Sequence, residues 1–289
     1  MNITKIQSSD LKSVKSIFSK LYIPRADSHK GNNGKALIIG GSALFHSASL
    51  WSAEIASHFV DMVHYSSTKE NNEIFVNLKS LFHNGIVVRQ EDVDAYVEED
   101  DAILIGPGMV RGEDKEAVYA RDLTRRLLQE YPNKKFVIDA GALQMIDVQW
   151  LKNLTQPPII TPHKGEFKRL FGIDISELSS DEIAHIVQQK AQEYSCIILL
   201  KSIQDYISDG KELYVVRGGN QGLTKGGSGD ILAGLTVGLF TRSTALVSAI
   251  SASYSIKTAA DELYKEKGYW YNMSDIIQAI PKVFRNRLL

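Results

Sequence analysis

The sequence predicts an α/β protein built on a doubly wound, mostly parallel central sheet flanked by helices, with a β-hairpin late in the chain. Three observations carry this. Short apolar runs such as "KALIIGG", "AILIGPG" and "CIILLK" are continuous rather than alternating, the pattern of strands covered on both faces. Segments with helical periodicity separate many of these runs. After Lys201 the pattern changes to "SIQDYISDGKELYVVRGG", two strand-like runs joined by the turn "SDGK".

Taken in order, the elements read as follows. "SSDLKSVKSIFSKL" places Leu11, Val14, Ile17, Phe18 and Leu21 on one helical stripe, with Ser9 or Asp10 available as a cap. Buried strands are expected over 35–41, 61–67, 85–89, 101–108, 135–141, 157–162 and 195–201. "SASLWSAEIASHFV" follows the first of them, and "DKEAVYARDLTRRLLQEY" follows "GPG". "SSDEIAHIVQQKAQEY" precedes "CIILLK", with Ser179 or Ser180 as cap and Glu182 placed for a capping box. After the hairpin come a glycine run and helices over roughly 230–240, 244–265 and 274–287. No linker, repeat or low-complexity segment interrupts the chain, so one domain over 1–289 is expected.

Composition excludes several classes of function. The 289 residues are ample for one sizeable core, and 44% hydrophobic with 23% charged is ordinary globular usage. A formal net charge of −1 gives no global attraction to nucleic acid or to an anionic membrane. No apolar run approaches the roughly 18 residues of a membrane span. The N-terminus lacks the apolar core of a signal peptide, and Asp10 argues against a mitochondrial presequence. A docked amphipathic helix in a cytoplasmic protein is expected. The single cysteine, Cys196, excludes an internal disulfide and reads as a small core residue rather than a reactive thiol.

The most informative stretch is "GGNQGLTKGGSGDILAGLTVGLF". It puts six glycines between Gly218 and Gly229, then Asp230 and an apolar helix. Glycine is costly to order, so such a cluster marks close backbone approach or unusual backbone angles. Successive N–H groups in a glycine-rich turn, followed by a helix N-terminus, form a concave anion site, and Lys225 adds charge. A plain turn with Asp230 as helix cap is the ordinary alternative. The run is longer than a cap requires, and Gly234 and Gly238 recur at helical spacing. The glycines come too late for a dinucleotide fingerprint, and there is no Walker A loop. A carboxylate beside such a turn suits the base that deprotonates an alcohol attacking phosphorus.

Other candidates sit at strand ends. "GPG" with Gly108, Asp139 in "VIDAG", and His163 with Glu166 in "TPHKGE" all fall where ligands of open α/β sheets bind. The spacing of His163, Asp139 and Asp230 is no zinc signature.

Together "DSHKGNNGKALIIGGS", "AILIGPG", "VIDAGAL", "IITPHKGEF", "LLKS" and "GGNQGLTKGGSGDILAGL" resemble the NAD(P)H-hydrate dehydratases, a family with the ribokinase-like fold. The resemblance implies a repair enzyme. Its substrate is hydrated NADH or NADPH, its phosphoryl donor is ADP or ATP with Mg2+, and it works by phosphorylating the ring hydroxyl and eliminating phosphate. It implies Asp230 as the catalytic base, with Lys225, Gly226, Gly227, Ser228 and Gly229 forming the phosphoryl anion hole. Lys201, Ser202, Ile203, Gln204 and Asp205 would cradle the nucleotide. Ala48, Gly108, His163 and Asp230 would meet the substrate. A homo-oligomer is implied, and the N-terminal epimerase domain of the two-domain enzymes is not expected.

Some positions depart from the family pattern. Gly141 stands where an acid is usual, Ser47 replaces a glycine, and Asp205 replaces a threonine. Two other readings stay open on these residues: a ribokinase-fold kinase of a vitamin-precursor alcohol, and a nucleotide-binding protein without turnover.

Overall fold

The computed structural model describes residues 3–288. The first half comprises β1 (Ile3–Gln7), α1 (Leu11–Phe18), β2 (Lys35–Ile39), α2 (Ser47–Ala56), β3 (Met62–Ser66), α3 (Lys69–Asn77), β4 (Ile86–Val87), α4 (Val93–Glu99), β5 (Ala102–Ile105) and α5 (Lys115–Glu130). It continues with β6 (Lys135–Ile138), α6 (Ala140–Met145), β7 (Ile159–Ile160), α7 (Lys164–Phe171), α8 (Ser180–Tyr194) and β8 (Ile197–Leu200). The chain finishes with β9 (Asp205–Ser208), β10 (Leu213–Arg217), α9 (Ser228–Phe240), α10 (Ala245–Lys267) and α11 (Met273–Leu288).

The ten strands form one sheet in the order β1-β10-β9-β8-β7-β6-β5-β2-β3-β4. Only β9 runs against its neighbours, pairing antiparallel with both β8 and β10. Every other pairing is parallel, as the continuous apolar runs predict. Within β2, Ile38 joins the core on one face while Leu37 and Ile39 join the core on the other. The first face is covered by α1, α2, α9, α10 and α11, the second by α4 to α8. Cys196 is buried in the second core, and burial pushes its thiol up to about 12.

Local signals behave as expected at several starts. Asp10 caps α1 by accepting from the Lys12 N–H, and Ser179 with Glu182 forms the capping box of α8. Two elements carry too little apolar signal to be expected: β1, which buries only Ile6, and α3, which buries only Asn71 and Phe75. The sequence places the start of the apolar helix at Asp230, but α9 begins at Ser228, so Asp230 is its third residue.

The parallel order brings the carboxyl ends of β2, β5, β6, β7 and β8 to one edge, side by side. Helix α9 starts at that edge and runs back along the sheet toward the start of β6, pressed closely onto α2. A Cβ built on Gly234 would lie 2.4 Å from the carbonyl oxygen of Ser52. At its far end, α9 is tied to the start of β6: the Lys135 ammonium donates to the carbonyls of Phe240 (2.9 Å) and Thr241 (3.0 Å).

This crossing yields a stability prediction. Helix propensity alone favours alanine over glycine by about 1 kcal/mol. At Gly234 the backbone clash outweighs that preference, so Gly234→Ala is expected to destabilise by roughly 1–3 kcal/mol. Gly226→Ala, where nothing lies within 4 Å of an added Cβ, should be near neutral. Denaturant midpoints of the two variants check the contrast.

Candidate active site

The centre of the strand-end edge is an ion pair between a half-buried lysine and a buried aspartate. Lys201, just past β8, places its ammonium 2.7 Å from Oδ1 of Asp139, which follows β6. The Thr161 hydroxyl, just past β7, donates to the same carboxylate at 2.7 Å. Glu166 is buried nearby: its Oε1 accepts from the Gln144 amide at 2.8 Å and its Oε2 from the His163 N–H at 2.9 Å. Burial by itself lowers the Lys201 ammonium, but Asp139, Glu166 and Asp230 outweigh it and hold Lys201 above its ordinary range.

Asp230 joins this cluster from α9. Burial, and then the charge of Asp139, push its carboxyl up to about 7, while Lys201 opposes the shift. The glycine run brings it there. Gly227 adopts φ 103°, and an added Cβ would lie 2.5 Å from the Trp51 ring. Its neighbour Gly229 passes over the lysine: a Cβ there would be 3.4 Å from the Lys201 ammonium. The first-turn N–H groups of α9 have no intrahelical acceptors, so the turn offers donors and a positive dipole end beside a lysine. That arrangement suits a phosphoryl group.

A cleft of about 130 Å³ opens here, lined by Lys201, Ser202, Asp205, Ser228, Gly229 and Lys257 together with Leu223, Leu232 and Ile256. Several residues expected to touch nucleotide face elsewhere. Lys225 does not line this cleft: its ammonium donates to the Tyr269 carbonyl and sits 5.0 Å over the Tyr271 ring. The Gln204 amide donates to the hydroxyls of Ser180 and Tyr206, turned back against α8. The Asp205 carboxylate is buried, accepting from the Ser202 N–H (3.0 Å) and the Ser253 hydroxyl (2.6 Å). Ile203 is 94% exposed at the tip of the turn, and Gly226 lies in open space.

The residues expected on the substrate side meet along a neighbouring stretch. Gly108, at φ 72°, packs so that an added Cβ would lie 3.0 Å from the Ala48 methyl. Helix α2, which carries Ala48, is joined to Asp230 directly, because the Ser52 hydroxyl donates to the Asp230 carbonyl at 2.8 Å. His163 caps α7. Its Nδ1 accepts from the N–H groups of Gly165 (3.0 Å) and Glu166 (3.2 Å), which places the ring proton on Nε2 as a donor. His163 also bridges to Lys201 across the sheet edge, so the two expected halves adjoin. Gly141, where the resemblance leads one to expect an acid, has its backbone against the loop after β5: an added Cβ would lie 2.1 Å from the Met109 carbonyl oxygen.

Sequence reasoning did not anticipate the Asp139–Lys201 pair, nor Thr161, Ser52 and Lys257. Asp139 is visible at a strand end, but its partner lies 62 residues away and no local pattern links them. Among the described residues no group of three His, Cys, Asp or Glu is arranged to hold a metal ion.

Comparisons with known proteins agree on one family. A family model described as NAD(P)H-hydrate dehydratase matches residues 36–282. A bifunctional NAD(P)H-hydrate repair enzyme of Methanocaldococcus jannaschii is 35% identical over 271 residues, covering 90% of this chain and 50% of that protein. An ADP-dependent (S)-NAD(P)H-hydrate dehydratase of Nitrosopumilus maritimus is 30% identical over 283 residues, covering 92% and 94% respectively. The chain thus spans about half the length of the bifunctional relatives and nearly all of the shorter one. Among solved structures, a ribokinase-like superfamily protein of Enterococcus faecalis superposes with TM-score 0.82 at 25% identity, covering 99% and 98% of the two chains. The ADP/ATP-dependent NAD(P)H-hydrate dehydratase of Bacillus subtilis, co-crystallised with ATP and Mg2+, superposes with TM-score 0.79 at 24% identity, covering 99% of each chain, and supports the fold.

The raised Asp230 carboxyl has a thermodynamic consequence. With a folded value of about 7 against an ordinary 3.8, the native state holds a proton that the unfolded chain has released between those pH values. Its contribution to stability is full below about pH 4 and is lost as pH rises through 7. Asp230→Asn removes that loss. Melting temperatures of the ligand-free proteins between pH 4 and 9 should show the variant gaining on wild type up to about pH 7, then a constant gap. A gap independent of pH would contradict the assignment.

Proposed function

Because the chain belongs to the NAD(P)H-hydrate dehydratase family, we propose that it is an ADP-dependent (S)-NAD(P)H-hydrate dehydratase. The observation that carries this reading is Asp230: a carboxyl held near neutrality, three residues into a helix whose glycine turn overlies Lys201. A base poised near the working pH is what abstraction of an alcohol proton needs.

In this reading ADP enters over the Gly226–Gly229 turn, with its terminal phosphate at the α9 N-terminus and Lys201 neutralising charge. The hydrated nicotinamide lies on the Ala48, Gly108 and His163 side, its ring hydroxyl toward Asp230. Asp230 takes the hydroxyl proton as the oxygen bonds to the terminal phosphorus, and the bond from that phosphorus to AMP breaks. Catalysis at this step is positioning and charge stabilisation. Phosphate then leaves the ring carbon, a proton leaves the adjacent carbon, and the double bond is restored. The Nε2–H of His163, which lies 3.5 Å from Oε1 of Glu166, serves as a donor to the substrate. The donors suit a diphosphate; Mg2+ would arrive on the nucleotide's own phosphates and would supply charge neutralisation there. No described helix is long and apolar enough to cross a membrane. A cytoplasmic site of action, a single domain and a homo-oligomeric assembly belong to the same reading.

The test is recovery of the reduced-nicotinamide absorbance from hydrated NADH or NADPH with ADP and Mg2+. Recovery dependent on ADP is expected. A stable phosphorylated product without recovery would identify a kinase, and nucleotide binding without either product would identify a binding protein. Asp230→Asn should lower turnover by about 10²–10⁴-fold. It should keep the nucleotide's stabilisation, roughly 2.7 kcal/mol at 100 times Kd. Gly108→Val, which drives a branched side chain into Ala48, should weaken the hydrate and spare ADP; titrating each ligand separately reads the difference.

A further inference from the structure

Helix α10 lies behind the nucleotide turn and presents three polar side chains at positions i, i+4 and i+8: Ser253, Lys257 and Asp261. Together they hold the loops that border the cleft, with Ser253 and Lys257 sharing Asp205. The Ser253 hydroxyl donates to Oδ2 of Asp205 at 2.6 Å. The Lys257 ammonium donates to the carbonyls of Ile203 (3.1 Å) and Ser202 (3.4 Å) and pairs with Oδ1 of Asp205 at 3.4 Å. The Asp261 carboxylate accepts from the Gly219 N–H (3.0 Å) and the Ser8 hydroxyl (2.6 Å).

Lys257 is the centre of this stripe. It is 5% exposed, an unusual position for a lysine, and its neighbours are arranged around it. Gly219, at φ 75°, lets the chain pass over the lysine stem, with an added Cβ only 3.3 Å from its Cγ. Asp205 supplies the opposing charge and simultaneously fixes the Ser202 N–H. The turn from Ser202 to Asp205 makes few apolar contacts of its own, since its tip residue Ile203 is almost fully exposed. Its shape is therefore set from beneath, by one ammonium gathering two consecutive carbonyls and one carboxylate. Both Lys257 and Asp205 also line the cleft that holds Lys201 and Gly229.

We propose that Lys257, acting with Asp205 and Ser253, is a positioning residue for nucleotide binding: it holds the 202–205 turn in the shape that receives the nucleoside diphosphate. This rests on the nucleotide-site reading above. The chemistry at phosphorus belongs to Asp230, so Lys257 acts on affinity and leaves the transfer step alone.

The experiment uses the full chain and measures ADP binding by calorimetry, turnover at saturating ADP, and melting temperature, for wild type and four variants. Lys257→Met removes the ammonium and should raise Kd for ADP by about tenfold or more, because a turn that must be ordered on binding costs affinity. Turnover at saturating ADP should stay within about threefold of wild type, the split expected of lost uniform binding. Lys257→Arg should restore most of the affinity. Lys257→Met combined with Asp205→Asn removes the whole charge pair, and should recover melting temperature while leaving ADP binding weak. Lys15→Met, on exposed surface far along the chain, serves as the control and should change nothing. If Lys257→Met binds ADP as wild type does, or if the double variant regains affinity together with stability, the lysine only fills a structural role and the proposal falls. If wild type itself binds no ADP, the nucleotide-site reading falls first, a distinguishable result.

Discussion

The site depends on one ammonium. Lys201 is the cation around which Asp139, Glu166 and Asp230 are gathered at the carboxyl edge of the sheet. Buried carboxylates this close do not all ionise unless a positive charge stands among them, and a lone buried charge is costly without partners. Removing the lysine would leave the buried Asp139 carboxylate without its opposing charge, which is destabilising. The arrangement divides roles between the carboxylates. Asp139 takes the direct contact and a hydroxyl hydrogen bond from Thr161, whereas Asp230 receives neither and is left near neutrality. Lysine in contact with one acid thus leaves the other free to accept a proton.

The glycines serve this electrostatic arrangement through distance. Gly227 lets the chain pass Trp51, Gly229 lets it pass over Lys201, and Gly234 lets the helix that follows lie against Ser52. A side chain at Gly227 or Gly234 would collide with Trp51 or the Ser52 carbonyl, whereas at Gly229 a Cβ would only touch the Lys201 ammonium. Gly141 shows the same constraint on the opposite wall, where the backbone meets Met109. A longer side chain at that position has no room in this arrangement, because its first carbon would already meet the Met109 carbonyl oxygen.

Much of this was legible in sequence, for identifiable reasons. Strands buried on both faces leave continuous apolar runs, so the sheet is legible, and twelve residues of glycine-rich chain followed by an acid mark a candidate anion site. β1 does not, because an edge strand that buries only Ile6 carries no pattern. The 201–205 turn was legible as a place and not as a mechanism. Its aspartate looks like a ligand in sequence, yet it turns inward onto Ser253 and Lys257, residues about 50 positions away on a helix whose polar stripe is masked by alanine and serine. Lys225 misleads in the opposite sense, since its charge is drawn to the Tyr269–Tyr271 segment. Pairings between distant segments are where single-sequence reasoning stops.

The tie between Lys135 and the last carbonyls of α9 joins two rods of unequal kind. Strand β6 leads from Lys135 to Asp139, while α9 leads back from the Phe240–Thr241 corner to Asp230. Both carboxylates are therefore measured from one anchor, along spans that cannot stretch. One residue inserted in the helix would shift Asp230 by about 1.5 Å and rotate it by roughly a quarter turn; one inserted in the strand would shift Asp139 by about 3.3 Å and turn it to the other face. An insertion in either segment therefore separates the two carboxylates unless the frame that carries them shifts with it.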